Sequence, residues 1–209
     1  MRMCAIGGLT LMLVSWASAQ AQEVTSPPAF KVGDTWTYTR SDEMNPRAGT
    51  RKVTETVTTV SDAGIETSVE GMKAGPHRYT KEGNTLRYGG TDYEPMVRYY
   101  AFPLSPGKTF EASFSHVESR NIHNTVYQTR QVRVVGWETV KTPAGEFKAL
   151  KLVATGESGE SGIGRGRSRR ATEVTVWYSP DVRWFVRKEY KRAGARDETQ
   201  ELISYKLAQ

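Results

Sequence analysis

Apolar residues recur with period two along most of this chain, and no stretch repeats them at helical spacing, so the backbone is constrained to sheet. Ile65, Thr67 and Val69 fall on one face of a short run. Val174, Val176 and Tyr178 do the same, as do Ile203, Tyr205 and Leu207. These patterns read as half-buried strands. Residues 35–40, 53–60, 77–81, 85–88, 109–117, 125–137, 147–155 and 183–191 add further candidates, rich in the Thr, Val and aromatic residues that suit a pleated surface. Between them lie turn signals such as Asp62-Ala63-Gly64, Glu82-Gly83-Asn84, Pro143-Ala144-Gly145 and Ser179-Pro180-Asp181. Short strands joined by tight turns imply a mainly all-β, antiparallel fold. One short helical turn is expected after Pro95, within residues 92–102. Val32-Gly33-Asp34-Thr35-Trp36 and Pro106-Gly107-Lys108-Thr109-Phe110 echo one another as a turn feeding a strand, but so short a pattern does not establish a repeat.

Residues 1–21 read as a secretory signal peptide: Arg2, an apolar run, then small residues at A-x-A spacing, with cleavage after Ala19 or Ala21. The expected mature chain, residues 22–209, is a single domain with no transmembrane segment, located in the periplasm or outside the cell. The lone cysteine, Cys4, lies ahead of the apolar run. A mature chain without thiols excludes disulfides, cysteine nucleophiles, cysteine-ligated zinc and iron–sulfur clusters. Losing Arg2 reduces the 29 basic residues to 28 against 23 acidic ones, a net +5. That excess favours acidic partners over basic ones, and export argues against nucleic acid.

The stretch Gly156 to Arg170, GESGESGIGRGRSRR, tests for phosphate chemistry. Gly159 and Gly164 have P-loop separation, but Arg165 and Gly166 stand where Lys and Ser/Thr are required. The dinucleotide fingerprint fails at Arg167, and no G-x-S-x-G elbow is present. Strand patterns flank the stretch, so it reads as a long hairpin tip. A second reading stays open: Arg165, Arg167 and Arg169 would project to one side of an extended chain, about 7 Å apart, as a comb for an anionic surface.

Three histidines, His77, His116 and His123, show no metal-ligand spacing, and Asp92 and Glu94 read as solvated loop charges rather than an acid/base pair. No catalytic residue, cofactor or metal is expected. Aromatic residues concentrate around VRYYAFP, where Tyr99, Tyr100 and Phe102 either fill the core or wall a groove.

FKVGDTWTY at 30–38, TPAGEFKALKL at 142–152 and VWYSPDVRWFVRKEY at 176–190 together resemble a domain-of-unknown-function group of exported bacterial β proteins. The chain departs from that pattern at Arg183 and Trp184, where a glycine or small residue is expected. The resemblance implies a strongly curved antiparallel sheet, an open half-barrel or clamp, and brings no catalytic residues. The expectation is therefore a non-enzymatic exported binding or scaffold module of the bacterial envelope that holds an apolar or anionic ligand, with a lipid, a glycan or an envelope protein as partner. A structural protein pairing through a sheet edge is the alternative, and a hydrolase the third.

Overall fold

The computed structural model describes residues 23–41, 49–72, 75–118, 121–161, 169–193 and 197–209. The signal-peptide expectation falls outside them. Twelve strands follow one another in chain order: β1 (Thr35–Ser41), β2 (Thr50–Ser61), β3 (Gly64–Val69), β4 (His77–Tyr79), β5 (Thr85–Tyr88), β6 (Thr91–Val97), β7 (Thr109–Glu118), β8 (Asn121–Thr142), β9 (Gly145–Ser161), β10 (Arg169–Ser179), β11 (Trp184–Arg192) and β12 (Glu198–Lys206). Each is antiparallel to the next, and β1 pairs with both β2 and β12. The sheet is thus a closed barrel, not the open half-barrel expected. Closure depends on Trp36 meeting Glu55 on one side and Tyr205 on the other, a contact between chain ends that local pattern does not encode.

The helical turn expected after Pro95 is also absent. That segment is β6, held by Tyr88↔Thr91 on β5 and Glu94↔Ser115 on β7, so tertiary pairing overrides a weak local preference. Among the described residues the helical element is a single 3-10 turn, Pro180–Val182. Asp92 is no loop charge either: from β6 it accepts from Arg78 and Arg87, each at 2.7 Å. β9 and β10 form the expected hairpin, with Arg169 opposite Gly159.

Outward positions of β1 and β2 carry threonines that bond across the ladder, Thr35 to Thr56 at 3.1 Å and Thr37 to Thr54 at 3.2 Å. Inward positions fill the barrel. Phe30, Trp36, Tyr79 and Trp184 interlock, with centroids 4.7–6.0 Å apart, and Trp36 donates Nε1–H to the Val182 carbonyl at 2.7 Å. A second apolar cluster, including Val132, Val134, Leu150, Leu152, Val174 and Val176, packs the facing wall.

The barrel repeats one six-strand plan twice, so the short sequence echo is the visible end of a longer one. Before β1, Asp34 N–H donates to the Lys31 carbonyl, Gly33 N–H to Val57, and Val57 N–H to Asp34. Before β7, Lys108 bonds Ser105, Gly107 bonds Val134, and Val134 bonds Lys108 in the same way. The next residue bulges out of register in both, between Val57 and Thr59 and between Val134 and Gly136. Ser61 and Thr142 each bond the carbonyl of a positive-φ glycine three residues on, Gly64 at +131° and Gly145 at +134°. The registers agree as well: Tyr38 faces Val53 as Ala112 faces Arg130, and Thr67 faces His77 as Leu152 faces Val176.

Candidate functional site

Inward faces change character along their length. On β1 the series runs Trp36, Tyr38, Arg40; on β11, Trp184, Val186, Lys188, Tyr190; on β8, Val134, Val132, Arg130, Gln128; on β12, Leu202, Gln200, Glu198. Because side chains alternate across a strand, each series stays inside the barrel while passing from apolar floor to charged end. The charged ends meet around a cavity of about 180 Å³ whose walls also include Tyr88, Tyr93, Tyr99, Phe114 and His116. A smaller cavity, about 40 Å³, adjoins it and shares Tyr88, Tyr99, Lys188 and Gln200.

Charge in the larger cavity is unevenly matched. Arg40 grips Glu198 with two nitrogens, at 2.8 and 3.1 Å, and also donates to the Tyr88 hydroxyl at 2.9 Å. Arg130, only 4% exposed, donates to the Tyr99 hydroxyl at 3.0 Å and to Gln128, while its buried Nε has no hydrogen-bond partner. Its guanidinium lies 5.2–5.9 Å from the rings of Tyr99, Phe114 and Tyr190. The Lys188 ammonium lies 4.9 Å from the Tyr99 ring. Burial opposes ionisation of Tyr99, but Lys188 and Arg130 outweigh it and hold that phenol below its ordinary 10.0. Burial pushes Tyr88 and Tyr93 the other way, each up to about 12.

Beneath the cavity, Glu55 on β2 accepts from the Thr67 hydroxyl at 2.5 Å and the Tyr79 hydroxyl at 2.6 Å, with His77 Nδ1 at 3.1 Å. Three partners keep this buried carboxylate occupied. His77 also stacks on Tyr88, with centroids 4.0 Å apart, which links the network to the cavity wall.

Tyr99 lines both cavities and Tyr100 lines the smaller one. Asn84 places them: fully buried, it accepts from the Tyr99 and Tyr100 N–H groups at 2.9 and 2.8 Å and donates to the Tyr100 carbonyl. Phe102 packs instead on the apolar cluster beside Tyr178. Arg169 is exposed on β10 near Glu157, outside the barrel, and Arg165 and Arg167 lie outside the described residues. Among its described residues the glycine stretch meets the cavity wall from behind, at Gly156. Gly156 sits opposite Arg130, and a Cβ there would meet the Thr129 carbonyl at 1.9 Å, so glycine lets β9 press close behind that arginine. Sequence reading missed Arg40, Arg130, Lys188 and Glu198. For Arg40, Arg130 and Lys188 the signal was present, since each lies in phase with an apolar inward series. Glu198 is out of phase with Ile203, Tyr205 and Leu207, the face expected to be buried, because the register skips Ile203.

Among the described residues no cluster of three or more His, Cys, Asp or Glu side chains could hold a metal ion, and no helix is long and apolar enough to cross a membrane.

Fold and cavity together define a class: a closed antiparallel barrel of two matched halves, with a charged chamber at one end of its interior. Residues 96–194 match the family described as protein of unknown function (DUF3108), so the resemblance to a domain-of-unknown-function group holds from the end of β6 through β11. A "putative lipoprotein" from Parabacteroides distasonis shares the fold, with a TM-score of 0.56 and 18% identity over 86% of this chain and 97% of that one. So does a "putative exported protein with YmcC-like fold" from Bacteroides fragilis, with a TM-score of 0.56 and 16% identity over 88% and 99%. No curated protein matches the sequence.

Proposed function

We propose that this protein is an exported, non-enzymatic binding module of the bacterial envelope that holds a small ligand inside its barrel. The observation that carries the reading is that several polar residues in and beneath the chamber, drawn from both halves, stand where the matching position of the other half is apolar. Arg130 corresponds to Val53, Arg40 to Phe114, Glu55 to Val132 and His77 to Val176. One fold plan accepts apolar residues at these places, so folding alone does not demand the charges, and polar exceptions of this kind concentrate at functional sites. The size is in keeping: a cavity of about 150 Å³ takes up benzene, and this one is slightly larger. The signal-like N-terminus and the names of the two structural neighbours favour export. Pairing through a sheet edge is the weaker alternative, because β1 is already paired on both sides.

Native mass spectrometry of the signal-less protein, purified from its own host's envelope fraction, tests the reading. A small co-purifying mass, lost when Tyr99 and Phe114 are both replaced by leucine, is the expected result. A bare protein at every desolvation energy counts against it.

A further inference from the structure

Three cations and one carboxylate line the larger cavity, and the carboxylate is committed: Glu198 holds Arg40 through two contacts. Arg130 and Lys188 are left facing one phenol, Tyr99, with no carboxylate within ion-pair distance of either among the described residues. The nearest other buried acid, Glu55, is occupied by Thr67, Tyr79 and His77. The ring cage around Arg130 attracts the guanidinium but supplies no opposite charge. A buried cation without a counter-charge is destabilising in general, and the orphaned, fully covered Nε of Arg130 marks the same deficit at one atom. Gly156 and Asn84, meanwhile, fix the strand behind Arg130 and the backbone of Tyr99. The site is built to hold two cations together, against their mutual repulsion.

We propose that the chamber takes a small organic anion, its oxyanion between Arg130 and Lys188 and beside the Tyr99 hydroxyl, its apolar body against Phe114, Tyr93 and Val97. This rests on the reading that the cavity is a ligand site and adds the ligand's chemistry. A carboxylate and a phosphate share the recognition, since both offer several acceptors to a guanidinium. The volume limits the enclosed part to about one ring or a short chain. The lowered ionisation of Tyr99 fits this field, because the same two cations that draw a proton off the phenol would hold an exogenous oxyanion.

The test is calorimetric titration of the signal-less protein with benzoate, phenyl phosphate and neutral benzamide. Benzoate or phenyl phosphate should bind at least tenfold more tightly than benzamide and weaken as salt is raised. Whichever of the two dominates distinguishes carboxylate from phosphate. Lys188→Met should lose about tenfold of the anion's affinity, the size expected for one charge-assisted contact, and narrow the gap between the anions and benzamide. A second readout does not depend on that variant: the bound anion should raise the pH at which Tyr99 develops its tyrosinate absorbance, with Tyr99→Phe identifying the band. Benzamide binding as tightly as both anions would overturn the charge assignment and leave the cavity reading standing. Binding of none of the three would overturn both.

Discussion

Asp34 ties three distant parts of the chain through one fully buried carboxylate. It accepts from the Lys31 N–H at 2.9 Å, the Ala208 N–H at 2.8 Å and the Arg183 guanidinium at 2.8 and 2.9 Å. Arg183 itself sits at φ 60°, the left-handed conformation that favours glycine. Its departure from the family pattern therefore exchanges backbone ease for a salt bridge to the turn before β1. Removing one partner of a buried ion pair generally costs about 3–5 kcal/mol, so Asp34→Ala should lower stability by about that amount in urea unfolding. Arg183→Ala loses the same pair and keeps the backbone strain, whereas Arg183→Gly loses the pair and relieves the strain. The glycine variant should thus be the more stable of the two by about 1 kcal/mol. Equal stabilities would show that φ at 183 stores nothing.

The β5–β6 hairpin contributes Tyr88 and Tyr93 to the cavity, and their phenols respond to pH as a pair. Both are raised, mainly by burial, from 10.0 in the free side chain to about 12. The unfolded chain therefore ionises first, and the stabilisation is whole below pH 10 and drains away as pH rises through 12. Denaturation midpoints measured across that window should fall steeply, and Tyr88→Phe with Tyr93→Phe should make the fall shallower. Tyr178, also raised by burial, keeps it from vanishing. An unchanged slope in the double variant would mean that neither phenol is buried as described. This hairpin is also the element least legible from sequence. Alternation placed β3 and β10 through buried Ile65, Val174, Val176 and Tyr178, and tight turns placed the hairpins. On β12 alternation found the strand but the wrong face, because the register skips Ile203, buries Leu202 and leaves Tyr205 41% exposed. β6 reads TDYEPMV: Tyr93 and Val97 turn to the cavity, but the proline between them and the flanking Asp92 and Glu94 argue against a strand locally, so the pattern does not announce it. The cavity was hidden for a related reason. Trp36, Tyr38 and Arg40 share one face, but that the arginine points inward follows only once β12 closes against β1.

At the scale of the whole barrel, two six-strand halves solve the same packing problem with different chemistry. Glu55, Thr67 and His77 form one layer across β2, β3 and β4. Val132, Leu152 and Val176 form the matching layer across β8, β9 and β10, at identical register. If the halves are equivalent as scaffolds, the polar layer should be replaceable by the apolar one as a unit. Replacing a satisfied buried polar cluster by well-packed apolar residues is often neutral, or stabilising by about 1–4 kcal/mol, whereas removing a single member strands the others. Combined with Tyr79→Phe, which removes the one hydroxyl it would otherwise strand, the triple variant Glu55→Val, Thr67→Leu, His77→Val should therefore unfold at a denaturant concentration no lower than the native protein. Glu55→Val alone should fall well below it, since His77 and the Thr67 and Tyr79 hydroxyls lose their common acceptor. The non-additivity is the quantity to measure, because residues in one network do not contribute independently. A combined variant weaker than the single would mean that the halves match in backbone alone and that the polar layer is part of the scaffold. A combined variant that folds firmly while the chamber above it loses its ligand would instead assign the layer to binding, through the His77 ring stacked beneath Tyr88.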